Sequence, residues 1–132
     1  MFEAFLIPEK TVVREKGDGT AVDVSSAAGK ILLLTLNITD VIEQQSLDAS
    51  VWGSPDGADW GQKPLLSFPQ KFYRGQHPLL LDLSKHPGVK FLRAHWEVNR
   101  WGHHAVGPRF ELQLGVKEVP QEVLAEARSR SG

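Results

Sequence analysis

The sequence predicts an all-β domain, an antiparallel β-sandwich of the jelly-roll kind with about eight to nine short strands and a short C-terminal helix. Three observations support this prediction. Apolar and polar residues alternate along several segments, turn-forming residues separate those segments, and no strands alternate with helices. Such patterns are typical of sandwiches and barrels. We therefore assign residues 1–118 to a β-sandwich domain and residues 119–132 to a helical tail.

The two-residue period is clearest in residues 90–98, 109–116 and 46–53, each of which predicts a strand with one face in the core. Residues 30–38 differ because residues 31–34 are apolar on both faces, as expected of a central strand covered on two sides. A helix is the alternative there. The shorter predicted strands are residues 2–7, 11–15, 21–24, 65–68 and 76–83.

Turn-forming residues bound these strands. Residues 16–19, 55–57 and 86–88 contain Gly together with Asp or Pro, which reach positive φ or preset a turn. His77 and His86 each lie beside a proline, and we expect both in turns.

The tail has the pattern of a short helix, with Pro120 at its start, an acidic residue in the first turn and Arg128 in the last. A helix this short is not stable alone in water, so its apolar residues must dock on this domain or on a neighbouring copy. We predict an interface helix that docks through Val123, Leu124 and Ala127.

Composition disfavours several classes of protein. Lys and Arg total 15 against 16 Asp and Glu, so no strong net charge is available to attract nucleic acid or an anionic membrane. Cysteine is absent, which suits a reducing cytoplasm. The first residues lack a basic region and a long apolar run, so we expect neither a secretory signal nor a membrane span. We expect the protein in the cytoplasm, or assembled there into a virion-like particle.

Candidate residues for chemistry are few. His95, His103 and His104 suggest a zinc site, but adjacent histidines seldom face one ion, and we interpret them as solvated loop residues. Asp56 is interpreted as a turn residue that bonds to its own backbone. A calcium site would draw on loop carboxylates, but the twelve-residue loop pattern is missing. No nucleophile elbow or phosphate-binding glycine loop is present. We therefore expect no enzyme, no metal and no cofactor.

The chain has four tryptophans, and they are its most informative residues. Trp96 lies on the apolar face of its strand and is predicted to be in the core, whereas Trp52 should point outward. An outward tryptophan needs a cover, which is a sugar ring, another subunit or an adjacent loop. Arginines near Trp101 are alternative stacking partners within the domain: Arg93, Arg100 and Arg109. The predicted binding or interface residues are Trp52, Trp60, Tyr73, Arg100 and Trp101.

Residues 54–60, Ser-Pro-Asp-Gly-Ala-Asp-Trp, resemble a Ser-x-Asp-Gly-x-x-Trp hairpin found in two groups of β-sandwich proteins. Asp and Gly form the tight turn, and the tryptophan folds back over the hairpin to seal the end of the sandwich. The first group is the discoidin-like, galactose-binding-like modules, and this resemblance implies binding of sugars or lipid head groups through loops at one end. The loop ligands of that group are not recognisable here.

The second group is the small accessory structural proteins of tailed phages and related bacterial elements. These often carry an early phrase that resembles residues 17–24, Gly-Asp-Gly-Thr-Ala-Val-Asp-Val, and closing strands similar to residues 91–94 and 108–112. The resemblance spans about residues 11–116 and implies a structural role in a larger assembly. The loop at residues 100–104 and the tail depart from that pattern, so no functional residue is carried over.

We expect a non-enzymatic structural or assembly subunit, which self-associates as a homo-oligomer or decorates a larger protein assembly such as a virion-like shell or tail. The alternative is a carbohydrate-binding module in which Trp52, Trp60, Trp101 or Tyr73 stack on sugar rings. A third class, a metal-dependent cupin-like enzyme on a similar fold, would require stoichiometric metal.

Overall fold

The structure, a computed structural model, describes residues 1–102 and 106–120. This part of the chain forms nine strands and two single-turn 3₁₀ helices, Ser25–Ala27 and Leu83–Lys85. The strands are β1 Glu3–Val13, β2 Gly17–Asp18, β3 Val22–Asp23, β4 Ile31–Val41, β5 Gln45–Ser54, β6 Leu66–Ser67, β7 Gly75–Asp82, β8 Phe91–Arg100 and β9 Phe110–Glu118.

The strands form two antiparallel sheets, which confirms the all-β prediction. One sheet has the order β1-β9-β4-β7, and the other has the order β2-β8-β5-β6 with β3 also paired to β8. Most paired strands are distant in sequence, because the chain crosses repeatedly from one sheet to the other. The inner faces of both sheets contribute to one apolar core, as expected of a β-sandwich-like fold.

Strand β1 merges the two short strands predicted at residues 2–7 and 11–15. Its pairing with β9 shifts register between Phe5 and Ile7, and again between Ile7 and Thr11. Lys10 takes a positive φ of 60° in this stretch. Pro8 has no N–H to donate and is tolerated because β1 lies at the edge of its sheet. The chain therefore bends at this point without ending the strand.

The central strand β4 lies between β9 and β7, and its side chains alternate between the core and the outer face of the sheet. Its inward side chains are fully buried: Leu32, Leu34, Leu36 and Ile38. Ile31 and Leu33 point the other way and are only half-buried. The prediction of a central strand is confirmed, but the outer face is covered less than the apolar run of residues 31–34 suggests.

The other alternating strands place the expected residues in the core. On β5 these are Leu47, Ala49 and Val51, and on β9 they are Phe110, Leu112, Leu114 and Val116. Trp96 of β8 points toward the core but is only half-buried. Its ring lies against Gly17, and its Nε1 donates to the Glu15 carbonyl at 3.1 Å. Trp96 therefore closes the margin of the core.

The corner after β5 is built by hydrogen bonds to two side chains. The hydroxyl of buried Ser54 accepts the amide N–H groups of Asp56 and Gly57, and Gly57 takes a positive φ of 80°. The Asp56 carboxylate accepts the amide N–H groups of Ala58 and Asp59. These bonds hold the pKa of Asp56 below its usual range. Asp56 thus serves the turn, as its interpretation as a turn residue requires.

His77 was predicted to lie in a turn, and this prediction is wrong. It lies on β7, opposite Leu36, and faces inward. Pro78 does not interrupt this strand because β7 is the edge of its sheet, where a missing N–H costs no ladder bond. Burial lowers the pKa of His77, and the charge of Lys71 adds to the effect.

The predicted C-terminal helix, with Val123, Leu124 and Ala127, lies outside the described residues. Within residues 1–102 and 106–120, no helix has the length and apolar character needed to cross a membrane.

Replacing Leu36 by Ala should lower the free energy of unfolding by about 2–5 kcal/mol, because a fully buried leucine leaves a cavity. The neighbouring variant Thr35→Ala removes an outward, half-buried side chain and should cost less than about 1 kcal/mol. Urea unfolding of both variants measures the difference. Equal losses would contradict the assigned inward and outward faces.

Candidate functional site

Three loops that are far apart in sequence meet at one end of the sandwich. The pairing of Val41 with Phe110, Gln45 with Arg100, and Ile38 with Gly75 brings together the connections β4–β5, β6–β7 and β8–β9. Phe72, Tyr73 and Trp101 project from this end with exposed fractions of 39%, 78% and 44%. We call these three residues the aromatic end.

The rings of the aromatic end contact one another. The centroids of Phe72 and Trp101 are 6.1 Å apart with an edge-on angle of 74°, and those of Phe72 and Tyr73 are 6.3 Å apart. They border a cavity of about 230 Å³. Its remaining lining consists of Val41, Ile42, Glu43, Gln44 and Gln45. The surface of the cavity is mostly apolar and is open to solvent.

Arg100 lies at this end, and its guanidinium is engaged within the chain. Nε donates to the Glu43 carbonyl at 3.1 Å, and Nη1 donates to the Val106 carbonyl at 2.6 Å. The Trp101 amide donates to the Gln44 carbonyl at 3.0 Å. Arg100 therefore holds two loops together and positions Trp101 beside the cavity.

Gln45 provides a second tie between the loops, and the sequence contained no signal for it. Its side chain is 1% exposed. Nε2 donates to the Arg109 carbonyl and Oε1 accepts the Arg109 amide, both at 2.7 Å. Arg109 also donates from Nη1 to Asp40 at 2.7 Å, and this bond holds the pKa of Asp40 below its usual range. Gln45 thereby joins the start of β5 in one sheet to the start of β9 in the other.

Trp52 and Trp60 lie elsewhere, on the outer face of the five-stranded sheet. Trp52 is half-buried, donates from Nε1 to the Ser50 hydroxyl at 3.0 Å, and stands edge-on to His95 at 6.4 Å between centroids. The Arg93 guanidinium stacks over Trp60 at 4.4 Å from the ring centroid. The stacking arginine expected near Trp101 is therefore found on Trp60. Trp60 therefore lies against this sheet face.

His95 joins the charged groups of this face. Its Nδ1 is 2.8 Å from Asp18 Oδ1, and its Nε2 is 3.7 Å from Glu97 Oε2. Arg93 Nε lies 3.8 Å from the same Asp18 oxygen. A cavity of about 300 Å³ opens beside these residues, and we call it the Trp52 cavity. Its lining includes Asp48, Ser50, Trp52, Pro64, His95 and Glu97.

This face places serine, histidine and aspartate close together without the geometry of a catalytic triad. Ser50 lies opposite His95 in the strand pairing, but its hydroxyl bonds to Trp52. In the described residues no serine hydroxyl bonds to a histidine ring, so no nucleophile and base are paired there. Likewise, no three acidic or histidine side chains of the described residues could hold a metal ion. His103 and His104 lie outside those residues.

The structure therefore separates the predicted binding residues into two places. Tyr73, Arg100 and Trp101 meet at the aromatic end. Trp52 and Trp60 lie on the outer face of the five-stranded sheet. Phe72 was missed, although its position next to Tyr73 in a short loop was a usable signal. Gln45 was missed because buried glutamine gives no pattern in sequence.

No protein-family model matches the chain, and no curated protein matches it either.

Replacing Gln45 by Ala should lower the free energy of unfolding by about 1–3 kcal/mol, since both backbone groups of Arg109 lose their partner. The control Gln113→Ala changes a half-buried glutamine on the outer face of β9 and should cost less than about 1 kcal/mol. Denaturant unfolding followed by circular dichroism measures both. A loss at Gln45 no larger than that of the control would show that this bridge contributes nothing.

Proposed function

We propose that the protein is a non-enzymatic structural subunit, which associates with copies of itself or decorates a larger protein assembly such as a virion-like shell or tail. The observation that carries this proposal is the aromatic end. Phe72, Tyr73 and Trp101 are exposed together, contact one another and border an apolar cavity. Tryptophan and tyrosine dominate the binding energy of protein interfaces.

The physical reason for association is the cost of leaving these rings in water. Burial of apolar surface contributes about 25 cal/mol per Å², and a large aromatic side chain buries about 150–250 Å². The rings are also held in place. Arg100 and Gln45 tie the connection that presents Trp101, and backbone hydrogen bonds between Lys71 and Leu47 tie the segment that presents Phe72 and Tyr73. A surface ordered in advance loses little conformational entropy when a partner binds.

The strand order supports the finer assignment of a jelly roll. Both β2 and β3 pair with β8, so they are two pieces of one interrupted strand. Counted in this way, the orders β1-β9-β4-β7 and β2/β3-β8-β5-β6 give two sheets of four strands. Eight strands in two sheets are typical of jelly rolls, which occur in viral capsid proteins and in lectins. The fold thus suits a shell component, in the cytoplasm or in a particle assembled there, and it also suits a lectin.

A carbohydrate-binding module is the second candidate, and the Trp52 cavity favours it. The cavity places an indole beside the carboxylates of Asp48 and Glu97 and the imidazole of His95. Sugars bind to aromatic rings through their C–H faces and to such polar groups through their hydroxyls. The aromatic end has fewer polar groups and suits a protein partner better.

Light scattering at rising concentration tests the first proposal. The protein should self-associate, and the double variant Tyr73→Ser with Trp101→Ser should weaken association at least tenfold, since about 1.4 kcal/mol is one decade. The control Val12→Ser removes an exposed apolar residue that does not line the cavity, and it should leave association unchanged. At about 1 mM protein, an association free energy of about −4 kcal/mol is enough for the oligomer to be detected. A protein that is strictly monomeric at this concentration would count against self-association.

Indole fluorescence and a glycan array test the second candidate. If the Trp52 cavity binds sugars, a hit on the array should shift the fluorescence, and Trp52→Ala should abolish binding while Trp101→Ala retains it. No binding on the array, together with fluorescence unmoved by millimolar sugars, eliminates this candidate.

A further inference from the structure

A second apolar surface lies on the outer face of the four-stranded sheet. Phe5 of β1 and Leu80 of β7 are 44% and 60% exposed. Leu33 pairs with Leu80 across β4 and β7, so both side chains point to this face. Phe5 and Leu80 therefore leave apolar surface in contact with water.

A depression lies between Phe5 and Leu33 on this face. Phe5 pairs with Gly115, and its ring lies 3.6 Å from the position that a Cβ of Gly115 would take. Because Gly115 has no side chain, a depression of about 200 Å³ remains there, and Lys117 also lines it. A cavity of about 150 Å³ is enough to hold a benzene molecule, so one aromatic ring fits here. We call Phe5, Leu33, Gly115 and Lys117 the outer depression.

The outer depression and the aromatic end are well separated on the molecule. Leu33 borders the depression, and Val41 borders the cavity at the aromatic end. Both residues belong to β4, and the strand carries the chain about 26 Å from one to the other. The two patches are thus distinct, and one copy can present them to two different neighbours.

We propose that the aromatic end of one copy docks into the outer depression of a second copy, with the ring of Tyr73 entering between Phe5 and Leu33. This inference rests on the proposed self-association and names the surface that receives the aromatic end. Tyr73 is 78% exposed, more than either of the other two rings of its cluster. The ring of Phe5 offers it an aromatic partner, and edge-to-face contacts between such rings are favourable.

The charges at the two patches are complementary. Glu43 lines the cavity at the aromatic end, and Arg74 follows Tyr73 in the chain. Glu3 and Lys117 line the outer depression and pair with each other across β1 and β9. All four charged side chains are exposed. Each patch thus offers one cation and one anion, so the patches can dock with opposite charges facing each other.

A contact of this kind covers both apolar patches. In a two-fold contact between two aromatic ends, Phe5 and Leu80 would stay in water. A contact between the end of one copy and the face of the next buries both patches, and apolar burial contributes about 25 cal/mol per Å². Because the two patches differ, the contact is of the head-to-tail kind, which builds a ring or a filament. Such a geometry suits a component of a shell or tail.

Blocking the outer depression tests the proposal. Gly115→Val should fill it and weaken association at least tenfold, which sedimentation equilibrium measures. A β-branched residue suits a strand interior, so the fold should be kept, and circular dichroism verifies this. Phe5→Ser removes a wall of the depression and should give a comparable loss. The control Gln113→Val places the same side chain on the same face of β9, outside the depression, and should leave association unchanged.

Mixing two blocked variants tests the head-to-tail geometry. The double variant Tyr73→Ser with Trp101→Ser retains the outer depression, and Gly115→Val retains the aromatic end. Each should be monomeric alone at a concentration where the wild type associates, and an equimolar mixture should form a complex with one copy of each. Unchanged association of Gly115→Val, or a mixture that stays monomeric, would overturn this docking mode and leave the proposed self-association standing. A wild-type protein that stays monomeric would overturn both.

Discussion

Packing between the inner faces of the two sheets is the constraint on which the rest of the structure depends. Alternate side chains of β4 and β9 meet those of β5 and β8 in one core, and many of them are fully buried. Each buried leucine contributes about 1.5–3 kcal/mol relative to exposure. A slip of one residue in any of these strands would turn its apolar set outward, so the register is strongly specified.

The strand order of the two sheets also determines where the loops meet. Because the chain crosses between sheets, residues 42–44, residues 69–74 and the loop that follows β8 converge at one end, although they lie far apart in sequence. Side-chain bonds hold two of these loops, because Arg100 bonds to Glu43 and Val106 and Gln45 bonds to Arg109. Backbone bonds between Lys71 and Leu47 hold the third. The aromatic end is ordered by these bonds, and its exposed rings are presented on a fixed support.

The two outer faces of the sandwich differ in character. The five-stranded face contains charged groups around Asp18 and half-buried indoles, and these side chains contact one another. The four-stranded face instead exposes the apolar side chains of Phe5 and Leu80.

Residue pattern alone determined the strands, their inward faces and the turn at Asp56, because alternation and turn chemistry are local properties. It failed at His77, where an edge position lets Pro78 remain inside a strand, and it gave no signal for Gln45. The separation of Trp52 and Trp60 from Tyr73 and Trp101 was decided by tertiary structure only. Which surface residues become neighbours depends on strand order and crossovers, which are set by long-range packing and not by any local period.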